Sequence, residues 1–162
     1  MSIIPIFTLI LLYILISISI EDLKTMLISE NKLIFLTTSG LAYLIYSGLE
    51  NESLNVIDLM IKKTFSMFIV FILMYTISCI SNKIIGVKLL GIGDIKLFSI
   101  SIIWLGIELS LISLCISFLL SAIYSLHGKI FKRFKPFQQY PFAPFKSIEI
   151  FSSWIIDKIQ PF

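Results

Sequence analysis

Four runs without a charged residue divide the chain. They cover residues 3–20, 33–49, 64–82 and 109–126, and hold 18, 17, 19 and 18 residues. At ~1.5 Å per residue, each is long enough to span, or nearly span, a hydrocarbon core ~30 Å thick as an α-helix. A further segment lies between Lys96 and Glu108, but only 11 of its residues are uncharged. To cross a bilayer this helix has to begin upstream, near Ile84, and take in Gly86, Gly91, Gly93 and Asp94. The last segment is interrupted by Lys146, Glu149, Asp157 and Lys158. Its apolar residues Ile148, Phe151, Ile155 and Ile159 fall at helical spacing, which suits a short helix packed on the bundle or lying at the interface. The pattern predicts an all-α fold: a polytopic membrane helical bundle of five to six transmembrane helices, forming a single domain over residues 1–162.

Composition supports this reading. The chain is 57% hydrophobic and 14% charged, with a mean hydropathy of +1.00. A soluble domain of 162 residues needs more polar surface. The first apolar run has no basic region before it and is followed by Glu21-Asp22 in place of small residues, so it is expected to be retained as a span. Cys79 and Cys115 both lie inside apolar runs and form no CxxC pair, so packing is their expected role and the chain offers no zinc ligand set.

The net charge of +3 describes topology and not nucleic-acid binding. Lys24 and Lys32 follow the first run. Lys83, Lys88 and Lys96 precede or enter the fourth segment, and Lys129, Lys132, Arg133, Lys135 and Lys146 follow the fifth. These are ten of the 13 basic residues. Basic short loops remain in the cytoplasm, which predicts an N-terminus outside and these three gaps inside. The aromatic residues Tyr140, Phe142, Phe145 and Trp154 are expected as anchors at the membrane interface.

The chemistry centres on "LLGIGDIKLF", residues 89–98. Asp94 stands 14 residues before Glu108, ~21 Å along a helix, and Asp22 follows a first span of ~27 Å. Two carboxylates from different segments therefore reach similar depth at the cytoplasmic edge. An ionisable group at that depth marks function or a buried pair. The bland explanation is a salt bridge from Asp94 to Lys96, Lys88 or Lys83. Lys96 is a poor partner on a helix, because residues two apart do not face each other. Gly91 and Gly93 let the backbone turn or be approached closely. Two carboxylates brought together share one proton. One then acts as base on a water while the other polarises a carbonyl, which amounts to peptide hydrolysis with no metal or cofactor. His127 sits beside Gly128 at a helix end, and the chain has no Ser-His-Asp set, HExxH or phosphate loop. Two other readings use the same residues. One is a small transporter or proton-coupled carrier, although a relay would place its acids nearer the bilayer centre. The other is a non-catalytic pilus or secretion assembly subunit.

At these residues the chain resembles the type IV prepilin peptidase family, the GxGD-type membrane aspartyl proteases. Gly91-Ile92-Gly93-Asp94-Ile95-Lys96 matches the family's GxGDxK element, and Glu21-Asp22-Leu23-Lys24 matches the place of its first aspartate. "MLISENKLI" and "YPFAPF", residues 140–145, resemble two further elements. The resemblance implies catalytic Asp22 and Asp94, with Gly91, Gly93 and Lys96 positioning substrate or backbone. It implies an endopeptidase that removes the basic leader of prepilins or pseudopilins in a bacterial inner membrane, with the active site toward the cytoplasm. The partners implied are the leader-bearing helix and the lipid bilayer, with a second copy of the chain as a candidate homodimer partner. Ser29 stands where a proline is common. No paired CxxC motifs precede the first span, so peptidase activity without methyltransferase activity is expected, as in the short members. Glu21 and Asp22 point about 100° apart on a helix, so only one faces Asp94; the resemblance favours Asp22.

Overall fold

The structure, a computed structural model, describes residues 4–50, 55–85, 90–130 and 141–159. These form six helices: α1 (Ile4–Thr25), α2 (Glu30–Glu50), α3 (Val56–Ile85), α4 (Ile92–Leu105), α5 (Ile107–Ile130) and α6 (Ala143–Ile159). Helices α1, α2, α3 and α5 are long and apolar enough to cross a membrane. Their exposed faces carry Leu9, Tyr13, Phe65, Ile72, Leu119 and Ile123, as expected of side chains whose solvent is lipid. The fold is an all-α polytopic bundle, with no strand among the described residues.

Helix α4 is the centre. It packs against α2, α3, α5 and α6, and every residue from Leu97 to Leu105 is buried. A helix that is apolar all round is a buried helix. This explains how α4 manages with 14 residues, about 21 Å: protein surrounds it, so it need not match the bilayer by itself. The start expected near Ile84 is wrong. Helix α3 continues through Ile85 and α4 begins at Ile92, because Gly91 is extended (φ −67°, ψ 150°) and a helix cannot run through that conformation. Gly86 lies outside the described residues. The carbonyls at the far end of α4 are met by two donors. The Gly106 N–H reaches Ile102 O at 2.8 Å, and Lys63 Nζ of α3 reaches Ile103 O at 3.2 Å.

Long-range hydrogen bonds fix the helix directions. Trp154 Nε1–H donates to Thr8 Oγ1 at 3.0 Å, so the far end of α6 meets the start of α1 and the two run antiparallel. Trp104 Nε1–H donates to Leu36 O at 3.0 Å, which aligns α4 with α2. Gly40 makes that approach feasible, since a Cβ there would lie 2.7 Å from Trp104 Nε1.

Three expectations about side-chain orientation change. The Ile148/Phe151/Ile155/Ile159 stripe of α6 was expected to pack on the bundle or lie at the interface; Phe151 packs against the core, whereas Ile148 and Ile159 are exposed. The buried face carries Ala143, Lys146, Ser147, Glu149, Ile150, Ser153 and Trp154, a mixture of polar and apolar residues. Trp154 is fully buried, with its ring 4.7 Å from Tyr43 and 5.2 Å from Trp104, edge to face. Phe142 is also buried, so neither is an interface anchor. Tyr140 and the side chains of the basic run 129–135 lie outside the described residues. Cys79 and Cys115 are exposed and do not pack; the small residues that do are Ser110, Ser113, Ser117 and Ser121 on the inner face of α5, where small side chains let helices approach closely.

Candidate active site

The last turn of α1 presents Glu21 and Asp22 in different directions. Glu21 turns toward the α1–α2 connection. Its Oε2 accepts the Ser29 N–H at 3.2 Å and pairs with Lys32 Nζ at 3.2 Å. Lys32 Nζ also donates to Ser17 O at 2.8 Å, stapling α2 to α1. The serine standing in place of a proline is thus put to use, because proline has no N–H to give Glu21. The Met26 N–H closes the last turn of α1 on Asp22 O at 2.9 Å, and the left-handed φ of 54° at Met26 then turns the chain out of the helix.

Asp22 turns inward and is buried. Its Oδ2 accepts the main-chain N–H of Ala143 at 2.9 Å, and the Phe142 main chain interacts with the same carboxylate. Asp22 therefore sits at the N-terminus of α6, where free N–H groups and the helix dipole favour a carboxylate. Pro144 is tolerated in this first turn, where no intrahelical partner awaits its missing N–H.

Asp94 is in the first turn of α4. The carboxylate folds back on Gly91, where a Cβ would lie 3.1 Å from Oδ2. A Cβ on Gly93 would lie 3.3 Å from Ile28 Cβ. Of the two uses open to these glycines, close approach is the one realised; Gly91 adopts a conformation open to any residue. Asp94 and Asp22 are near enough to interact electrostatically. Asp94 Oδ1 is buried and, among the described residues, accepts no hydrogen bond. A buried polar atom left unpaired in a native fold calls for a functional explanation. The fold thus brings the two sequence-chosen aspartates together and leaves an oxygen of one without a partner among the described residues.

Lys96 points elsewhere. It forms an ion pair with Glu30 at the start of α2, at the rim of an apolar cavity of about 360 Å³ that Thr37, Phe68, Ser99 and Ile100 also line. Ser99 and Ile100 lie at helical angles well away from Asp94, so this cavity is on the other side of α4. Sequence reasoning had no means of finding the Ala143 N–H, a main-chain group. The proline-bounded element 140–145 was its one visible trace.

A multi-pass helical bundle with two carboxylates gathered at the ends of its first and fourth helices is the class of protein that fold and site define. The chain matches the type IV leader peptidase family over residues 9–126, a span that includes Asp22 and Asp94, and it belongs to that family. Neither a curated protein nor a solved structure matches the chain.

Proposed function

We propose that the protein is an aspartyl endopeptidase that removes the basic leader of type IV prepilins or pseudopilins at the cytoplasmic face of a bacterial inner membrane. The observation that carries this reading is the convergence of Asp22 and Asp94 in a member of a leader peptidase family. Two carboxylates at close range hold one proton between them. The ionised one takes a proton from water, whose oxygen attacks the scissile carbonyl carbon. The protonated one donates a hydrogen bond to the carbonyl oxygen as negative charge develops there. The tetrahedral intermediate then collapses, the C–N bond breaks, and the amine leaves with a proton from the pair. Asp94 Oδ1, unpaired among the described residues, is suited to carry the shared proton or to meet the water. The basic gaps after α1, before α4 and after α5 support the cytoplasmic placement.

The test is cleavage of a leader-bearing prepilin by the purified protein in lipid vesicles. Wild type should release the leader, and Asp22→Asn and Asp94→Asn should each abolish release while remaining folded in the membrane. If either variant retains wild-type cleavage, the pair is not the catalytic unit.

A further inference from the structure

Lys146 stands three residues after Ala143, in the first turn of α6, and is about 1% exposed. Its Nζ donates to Ser113 Oγ of α5 at 2.8 Å and lies over the Phe98 ring of α4, 4.9 Å from the centroid. Among the described residues no ion pair includes it; Glu149, one turn further along α6, and Cys115 of α5 act on it through space. An ionisable group inside a membrane bundle is expensive to keep, and an apolar side chain of the same length would fill the space at lower cost. Its retention asks for a reason beyond packing.

Its two neighbours suggest one. Phe98 follows Asp94 by one turn on the same face of α4, as four-residue spacing requires. Ala143, one turn before Lys146, donates the N–H that holds Asp22. One helical turn therefore grips both halves of the carboxylate pair, Asp22 through a main-chain N–H and the Asp94 helix through an amino group on an aromatic face. Ser113 supplies the third point, fixing the turn against α5.

We propose that Lys146 is a positioning residue for the aspartate pair: its buried amino group clamps the first turn of α6 to α4 and α5 and so sets the separation of Asp22 and Asp94. The proposal rests on the peptidase reading for its kinetic consequence, but the geometric consequence stands without it.

The experiment uses the full chain in lipid vesicles, with Lys146→Met, which keeps much the same side-chain length and removes the donor, and Ser113→Ala, which removes the acceptor. A misplacement of about 1 Å costs on the order of 10²-fold in rate. Lys146→Met should therefore lower kcat by at least about tenfold with KM nearly unchanged, a split that reports lost transition-state geometry and not lost binding. Ser113→Ala should shift kcat the same way by less. In parallel, spin labels at Lys24 and Ile92, with Cys79 and Cys115 replaced by alanine, read the distance between the ends of α1 and α4. That distribution should shift or broaden in Lys146→Met. If wild type cleaves no prepilin, the peptidase reading falls and the label distances alone decide the clamp. Wild-type kcat together with an unchanged distribution overturns the proposal. If Lys146→Met fails to fold, Ser113→Ala decides by the same two measures.

Discussion

Asp22 Oδ2 and the Ala143 N–H meet at 2.9 Å although 121 positions of chain separate them. The contact closes the bundle, joining the end of the first helix to the start of the last, and it selects Asp22 over Glu21 as the acid that faces inward. Asparagine at position 22 keeps an oxygen for Ala143, while alanine leaves a buried N–H without an acceptor, at about 1–3 kcal/mol. Both variants should lose cleavage. Only Asp22→Ala should also lower resistance to denaturant in vesicles or detergent, and equal stability of the two would mean that the bond contributes nothing.

Glu21→Gln should be mild. The amide oxygen can still accept the Ser29 N–H, and the ion pair to Lys32 is partly solvated, where such pairs contribute little. Cleavage rates within about twofold of wild type are expected. A loss as deep as that of Asp22→Asn would reassign the first acid.

How far the sequence could be read differs from element to element. The four long spans were legible because lipid imposes a length and forbids charge, and both conditions are visible residue by residue. The approach of Asp22 to Asp94 was legible from depth, since both follow from counting along spans. Helix α4 was not, because a helix wrapped by other helices is freed from the length rule that the count assumed. The inner face of α6 was legible only in part: of the stripe Ile148, Phe151, Ile155 and Ile159, Phe151 packs on the core while Ile148 and Ile159 face out, and polar Lys146, Ser147 and Glu149 turn inward, which apolar spacing does not signal. The donor to Asp22 left no side-chain signature at all.

Gly106→Ala should destabilise the fold through the backbone alone. Gly106 has φ 83° and ψ 171°, a region nearly closed to other residues, and nothing lies within 4 Å of an added Cβ. The cost should be about 1–3 kcal/mol, read as a lower unfolding midpoint, with catalysis by the folded fraction unchanged because the turn lies at the opposite end of α4 from Asp94. Gly40→Ala offers the contrast. There the backbone is helical and the damage is a collision with the Trp104 indole, so a smaller residue in place of Trp104 should partly restore stability, whereas no neighbour substitution should rescue Gly106→Ala.

The two glycines before Asp94 should separate cleanly in kinetics. At Gly91 a methyl group would meet Asp94 Oδ2 at 3.1 Å, the free end of a side chain that can rotate away at little cost in stability. The rotation moves the carboxylate that Asp22 faces, so Gly91→Ala should lower kcat sharply, by roughly 10–100-fold for a displacement approaching 1 Å, while the unfolding midpoint stays close to wild type. At Gly93 the methyl group meets Ile28 Cβ at 3.3 Å, a branched atom next to the backbone of the α1–α2 connection, which has less room to yield. Gly93→Ala should therefore lower stability as well as rate, and Ile28→Ala in the same chain, which removes Cγ1 and Cδ1 at 3.4 Å but keeps the Cβ, should return only part of both. Measuring kcat and the unfolding midpoint for the three chains tests the assignment. A Gly91→Ala protein with normal kcat would mean that the close approach of Asp94 to the Gly91 backbone has no part in the chemistry.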